Sequence, residues 1–292
     1  MKLAPLPLSA ALCVVLGALT ASAQGAADAR SSCDLPHNRG VSMQSVTSRQ
    51  RPRTYRLFVP PGYDGRERLP LVLDLHGSGD TAAGQAGNSG FEGLAKGERF
   101  LVATLQADAG LWNVPIRADR PDDVAYVGDV IDHVAAQVCT DRTRVYVTGF
   151  SGGGRMSSLL GCALGSRIAA IAPVSGLRFS APCIGPPVPV LSFHGLADTQ
   201  NPYGGHAPGR GPEWEESVPD ALASWASHNT CRTSVVLEDP PGPLSTMRYE
   251  GCANDAEVRL LRIDGLGHTW TRDEVDTTAV IWQFFKSHRL RR

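Results

Sequence analysis

Between residues 145 and 160 the chain passes from a β-rich run, Val145-Tyr146-Val147-Thr148, through Gly149-Phe150-Ser151-Gly152-Gly153-Gly154 into the helix-compatible stretch Arg155-Met156-Ser157-Ser158-Leu159-Leu160. A strand that turns straight into a helix belongs to a parallel sheet, whose neighbouring strands need crossover connections. The rest of the chain supplies matching strands. Leu71 to Leu75, Phe100 to Thr104, Ile168 to Ala172, Val188 to Phe193 and Val258 to Ile263 are short apolar runs of the kind buried on both faces of such a sheet. Thr54 to Val59 alternates, stops at Pro60-Pro61-Gly62, and is predicted to pair with the stretch near Met43 to Thr47 as an antiparallel edge. Helices are predicted between the strands. Val124, Val127, Ile131, Val134 and Val138 recur at three and four behind the cap Asp122; Ser217-Val218-Pro219 opens another helix; Asp276 caps a last one with Ile281, Phe284 and Phe285 inward. This alternation predicts a doubly wound, mostly parallel α/β sheet with helices on both faces, in a single domain over residues 24–292.

The Gly149 to Gly153 segment reads GxSxG. A serine presented as a nucleophile must project from a turn so tight that side chains two residues away on either side would clash, hence Gly149 and Gly153. A phosphate-binding turn fits less well, because neither the P-loop lysine nor a GxGxxG register is present. A serine needs a base and a carboxylate, which follow it in the order Ser, acid, His on a turn of this kind. Of the histidines beyond it, His206 sits in a Gly/Pro loop, His228 ends a helix and His288 lies in a basic tail, whereas His268 follows a late strand in Gly265-Leu266-Gly267-His268-Thr269-Trp270. Asp198, after the strand ending in His194-Gly195, is the expected acid, with Glu213 or Asp239 as alternatives. His76 and His194, each before a glycine at a strand end, are expected to hold loops. The helix that starts at Gly152 and the loop Leu75-His76-Gly77-Ser78 are expected to supply the oxyanion-binding N–H groups, Gly152 with Ser78 preferred over Gly77.

Composition removes other classes. Lys and Arg total 28 against 29 for Asp and Glu, a net charge of −1, without the basic footprint of a nucleic-acid binder. The opening residues, Lys2, an apolar run from Leu3 to Leu19 and Ala21-Ser22-Ala23, read as an export signal cleaved after Ala23 rather than a membrane anchor. Removing Cys13 with it leaves six cysteines, Cys33, Cys139, Cys162, Cys183, Cys231 and Cys252, an even number suited to disulfides in an oxidising compartment. Their spacing resembles no zinc site, so no metal is expected, and their 15 pairings stay open on spacing alone.

The set Arg53-Thr54-Tyr55, Leu75-His76-Gly77, Gly149-Phe150-Ser151-Gly152-Gly153, Ala172-Pro173-Val174-Ser175-Gly176, His194-Gly195-Leu196-Ala197-Asp198, Pro202-Tyr203-Gly204-Gly205 and Gly267-His268-Thr269-Trp270 resembles the secreted esterase family of polyhydroxybutyrate depolymerases and feruloyl esterases. It departs at Leu196 and Leu266, where many members carry Thr and Gly. The resemblance implies an α/β-hydrolase fold, cofactor-free hydrolysis of carboxylic esters, and Ser151, Asp198 and His268 as the triad. It also implies pairing of Cys33 with Cys139, Cys162 with Cys183, and Cys231 with Cys252. The expected substrates are aromatic feruloyl-type esters or short hydroxyalkanoate esters. A polymer depolymerase, a serine peptidase or a non-catalytic binding protein on the same fold are the alternatives. The loops 107–121 and 199–216 are long and aromatic, and Trp112, Tyr203 and Trp270 are expected to line the pocket, with Trp214 in the second loop. Oligomeric state is not readable from the sequence.

Overall fold

The computed structural model describes Met1 and residues 33–206, 215–232, 235–238 and 242–291. The expected leader with its cleavage point at Ala23, and Glu213, Trp214 and Asp239, lie outside the described residues. The unit from Cys33 onward holds the sheet and its helices.

Strands β1 (Gly40–Ser48) and β2 (Arg51–Val59) form an antiparallel hairpin whose register runs from Gly40 opposite Val59 to Ser48 opposite Arg51. Its two-residue turn, Arg49-Gln50, holds φ of 47° and 63°. Both values are left-handed, as the right-handed twist of a two-residue hairpin demands. Then follow β3 (Leu69–Leu75), α1 (Ala82–Ser89), α2 (Phe91–Glu98), β4 (Leu101–Leu105), α3 (Asp123–Gln137), β5 (Thr140–Phe150), α4 (Gly152–Ala163), β6 (Ala170–Val174), β7 (Val190–Gly195), α5 (Val218–His228), β8 (Val236–Glu238), β9 (Leu244–Tyr249), β10 (Val258–Ile263) and α6 (Thr277–Lys286).

Among the described residues the sheet order is β1-β2-β4-β3-β5-β6-β7-β10-β9-β8. The six central strands from β4 to β10 run parallel, and antiparallel pairs flank them on both sides. The central strands are buried, which is why they read as apolar runs in the sequence. Alternate residues feed two separate cores. Leu71, Leu73 and Leu75 pack with α3, α4 and α5, while Val72 packs on the opposite face with α2 and α6. The fold is therefore the doubly wound α/β arrangement predicted from the sequence.

Local signals explain several helix starts. Asp122, Ser217 and Asp276 each accept a backbone N–H with the side chain, from Ala125, Asp220 and Ala279. Helices α1 and α2 and the β8–β9 ribbon are additions to the elements that the sequence pattern predicts. Cys33 is bonded to Cys139, Cys162 to Cys183 and Cys231 to Cys252. The first pins the extended segment before β1 to the start of β5. The second ties α4 to the loop after β6, and the third joins the end of α5 to the turn after β9. Among the described residues no helix is long and apolar enough to cross a membrane.

Candidate active site

Parallel strands all deliver their carboxyl ends to one edge of the sheet, and the candidate residues collect there. Ser151 follows β5, His76 to Ser78 follow β3, Asp198 follows β7 and His268 follows β10.

Ser151 has φ 54° and ψ −112°, a conformation costly for any residue with a side chain. Its neighbours leave it no alternative. A methyl group on Gly149 would lie 2.6 Å from the carbonyl carbon of Gly153, and one on Gly153 would strike the carbonyl oxygen of Leu75. The Ser151 N–H is spent on Val174 O at 2.9 Å, which ties the turn to the end of β6. Gly152 starts α4 against Ser78: a methyl group added there would lie 3.1 Å from the Ser78 nitrogen and collide with its hydroxyl. Gly77 abuts the serine, since a methyl group on it would lie 3.6 Å from Ser151 Cβ. The Gly152 turn and the Gly77-Ser78 loop thus converge beside the Ser151 side chain.

His268 Nδ1 lies 2.7 Å from Asp198 Oδ2, and the imidazole ring packs against Phe150, the residue before the serine, at 4.7 Å between centroids. The other Asp198 oxygen accepts N–H groups of Gln200 at 2.9 Å and Asn201 at 2.8 Å. Burial pushes the Asp198 carboxyl up, but the hydrogen bonds from His268 and the Asn201 N–H, together with the electrostatic pull of the facing His268 and His194 rings, outweigh it and leave it below the usual carboxylate range. It is an anion that fixes a proton on His268 Nδ1 and so turns the lone pair of Nε2 outward.

The two glycine-preceding histidines hold loops, as expected. His76 Nδ1 donates to Gly77 O at 2.7 Å and Nε2 accepts Ala107 N–H at 3.0 Å, a pattern that requires the neutral ring. His194 Nε2 donates to Asn201 O at 2.8 Å, and burial pushes its pKa down to about 4. Of the remaining histidines, His206 pairs with Glu215, and His288 Nδ1 bonds Phe284 O.

The aromatic expectations need correction. Trp112 is 3% exposed, its indole N–H donates to His76 O at 2.8 Å, and its ring tilts against the His76 imidazole. Trp270 is 5% exposed, donates to Thr278 Oγ1 at 3.0 Å and packs edge-on against Phe91. Both rings are consumed by core packing and present no face to a substrate. Tyr203 is half-buried over His194, with its hydroxyl against Met247 sulfur. A cavity of about 560 Å³ is lined in part by Arg155, Leu159, Phe179 and Glu216, with none of Ser151, Asp198 or His268 in its wall. A groove of about 680 Å³ beside the Arg49 turn and α3 holds none of these groups.

Two contributors escaped the sequence reading. Asn201 braces the acid with its backbone N–H and reaches Ser175 O with its side chain, joining the β7 and β6 loops. The signal was the Asp-x-x-Asn spacing, which suits a carboxylate receiving backbone N–H groups across a turn. Arg155, four residues after Ser151 and so on the same face of α4, brings its guanidinium Nη2 to 3.5 Å from Ser78 Oγ. Among the described residues no group of three or more His, Cys, Asp or Glu could hold a metal ion.

A family model described as Esterase PHB depolymerase matches residues 53–184. The chain is 33% identical over 262 residues to "Putative esterase NocK" of Nocardia uniformis subsp. tsuyamanensis, covering 80% of this chain and 76% of that protein. It is 28% identical over 247 residues to Feruloyl esterase C of Emericella nidulans, covering 80% and 83%. Acetyl xylan esterase from Aspergillus awamori superposes with a TM-score of 0.61 at 16% identity, over 84% of this chain and 99% of that one, a likeness of fold.

Proposed function

Because the chain belongs to the Esterase PHB depolymerase family and is a carboxylic ester hydrolase, we propose that it cleaves its esters through Ser151, His268 and Asp198 by way of an acyl-enzyme. His268 takes the Ser151 proton as the hydroxyl oxygen attacks the ester carbonyl, and Asp198 holds the ring in the tautomer that lets Nε2 do so. The N–H groups of Gly152 and Ser78 receive the charge that develops on the carbonyl oxygen. His268 then returns the proton to the leaving alcohol, and water, activated by the same imidazole, releases the acid.

The observation that carries this reading is the 2.7 Å contact of His268 Nδ1 with Asp198, on a ring packed against the residue next to the strained serine. We take the substrates to be feruloyl-type aromatic esters or short hydroxyalkanoate esters, a choice supported by the feruloyl esterase relatives. The three disulfides support a protein that works outside the reducing cytoplasm after loss of residues 1–23. An exported product whose N-terminus is not near Gln24 overturns that part.

Initial rates on methyl ferulate, p-nitrophenyl butyrate and a hydroxybutyrate oligomer, with a Ser151→Ala control, test the rest. The control is expected to lose activity on the order of a million-fold. Turnover that survives in it removes Ser151 from the mechanism. Turnover of none of the three esters by the intact protein removes the substrate assignment.

A further inference from the structure

An α-helix leaves its final carbonyl groups without donors of its own. In α1 the Gly90 N–H turns back to Ala86 O, so the carbonyls of Gly87, Asn88 and Ser89 take partners from elsewhere. All three take them from the chain that follows His268. Arg272 Nη2 donates to Asn88 O at 2.8 Å and to Gly87 O at 3.3 Å, and Thr278 Oγ1 donates to Ser89 O. The same Thr278 oxygen accepts the Trp270 indole N–H at 3.0 Å. We propose that Thr278 is a positioning residue for His268, tying the loop that carries it to the end of α1, with Arg272 as a second clamp on the same helix end. The inference rests on the reading of His268 as the base.

The contact with Asp198 fixes where His268 Nδ1 lies, but Nε2 has to meet the Ser151 hydroxyl as well, and the course of the backbone sets that second point. On the amino side Leu266 O accepts the Ala197 N–H at 3.0 Å, and Gly267, with open space around it, is the joint between that anchor and His268. On the carboxyl side the anchor is Trp270, held by Thr278. Trp270, Thr278 and Ser89 are all buried, so a bond lost among them is not replaced by water. The helix end is itself fixed to the sheet. Ser89 Oγ and Gln85 Nε2 donate to Asp74 at 2.6 and 2.7 Å, on the strand that runs into His76-Gly77-Ser78. Ser89 therefore faces two ways, its hydroxyl toward the oxyanion strand and its carbonyl toward the histidine loop. The base and the expected oxyanion donors are registered against one turn of helix.

Thr278→Val keeps the shape and removes both bonds, and Thr278→Ser restores the hydroxyl. On p-nitrophenyl butyrate, at a temperature where circular dichroism shows each variant folded, Thr278→Val is expected to lower kcat about tenfold with KM nearly constant, since alignment is lost and binding is not. Thr278→Ser is expected to recover most of that loss. Arg272→Met keeps the aliphatic stem of an exposed residue and is expected to lower kcat about threefold, again at constant KM. His268→Ala supplies a readout that a merely structural role would not move. In that background Thr278→Val is expected to slow the residual hydrolysis no further, because the group it aligns is gone. An unchanged kcat in Thr278→Val overturns the proposal, since packing of the Trp270 ring then suffices. So does a further loss in the His268→Ala background, which would route the effect through Asp74 to the oxyanion loop. If Thr278→Val does not fold, Arg272→Met, alone and with His268→Ala, decides by the same criteria. Parental activity in His268→Ala itself would sink the reading of the base, whereas an inactive His268→Ala beside an unaffected Thr278→Val refutes the positioning role alone.

Discussion

Asp74 stands fully enclosed on β3, with Gln85 Nε2 2.7 Å from one oxygen and Ser89 Oγ 2.6 Å from the other. Burial pushes its pKa up to about 7 against the pull of those two hydrogen bonds. An unfolded chain gives up this proton near pH 4, roughly the ordinary carboxyl range. Between about pH 4 and 7 the native state therefore binds more protons than the unfolded one, and the Asp74 contribution to stability falls as pH rises. His194 has the opposite sign: held down to about 4 by burial, it stays neutral while the unfolded chain takes a proton below about 6.5. Its contribution is complete above that point and is lost as pH falls toward 4. The two slopes oppose each other over a shared window. Asp74→Asn is expected to unmask the His194 slope, so that stability climbs from about pH 4.5 to 6.5 by up to a few kcal/mol more than in the parent. Urea midpoints across that range check it, and parallel profiles would remove the proton from Asp74. Trp112 offers a second test. Phe at this position keeps the packing and loses the bond to His76 O, which steadies the loop carrying Ser78. Trp112→Phe is expected to lower kcat about tenfold with KM nearly constant, and to slow ferulate and butyrate esters equally. A loss confined to the aromatic ester would make the ring a substrate platform after all.

At the scale of elements, glycine decides both what could be read and what can be changed. The strands were legible because the central sheet is buried on both faces, and β10 spans the residues predicted, Val258–Ile263. Strand β9 was not, because all six of its residues are half-buried and mix Leu and Met with Ser, Thr and Arg, leaving no period to detect. Helices α1 and α2 carry Gly84, Gly87, Gly93 and Gly97, each a penalty to helix propensity. They form because Phe91 and Ala95 are buried and because Gln85 and Ser89 bind Asp74, contacts that exist only once the sheet does. The candidate catalytic residues were legible for a simpler reason, since strand ends and chain order place them. Whether an indole such as Trp112 turns toward a substrate or into the core depends on packing that neither signal encodes. The glycines then separate by what surrounds them. Gly97 has open space where a methyl group would go, and Gly97→Ala is expected to stabilise by about 0.5–1 kcal/mol. At Gly153 the same change drives a methyl group into the Leu75 carbonyl, and a loss of more than about 3 kcal/mol, or no soluble protein, is expected. Similar denaturation midpoints for the two variants would contradict the packing assigned to the Ser151 turn.

Over the whole molecule the three disulfides constrain very different lengths of chain. Cys33 and Cys139 are 106 residues apart, whereas Cys162–Cys183 and Cys231–Cys252 each span 21. A cross-link acts largely on the unfolded ensemble, whose loop-closure entropy grows with the logarithm of loop length. On that basis the long link should contribute about 1–1.5 kcal/mol more than either short one. Packing adds in the same direction for the comparison with the third bond, since Cys33 and Cys139 are buried while Cys231 and Cys252 are half-buried. Native contacts at the long link do not depend on the sulfurs alone: Leu35 N–H donates to Gly65 O at 3.1 Å and Cys139 N–H to the Tyr63 hydroxyl at 2.9 Å. Replacing both Cys33 and Cys139 by Ala should therefore leave the fold in place while lowering its stability by about 2–5 kcal/mol. The double replacement of Cys231 and Cys252 should cost clearly less. The long-loop variant should also show the larger rise in denaturant m-value, because freeing 106 residues expands the unfolded chain more than freeing 21. Paired urea titrations give both numbers at once. Equal losses with unchanged m-values would place the stabilisation in native packing around the sulfurs instead of in the unfolded chain.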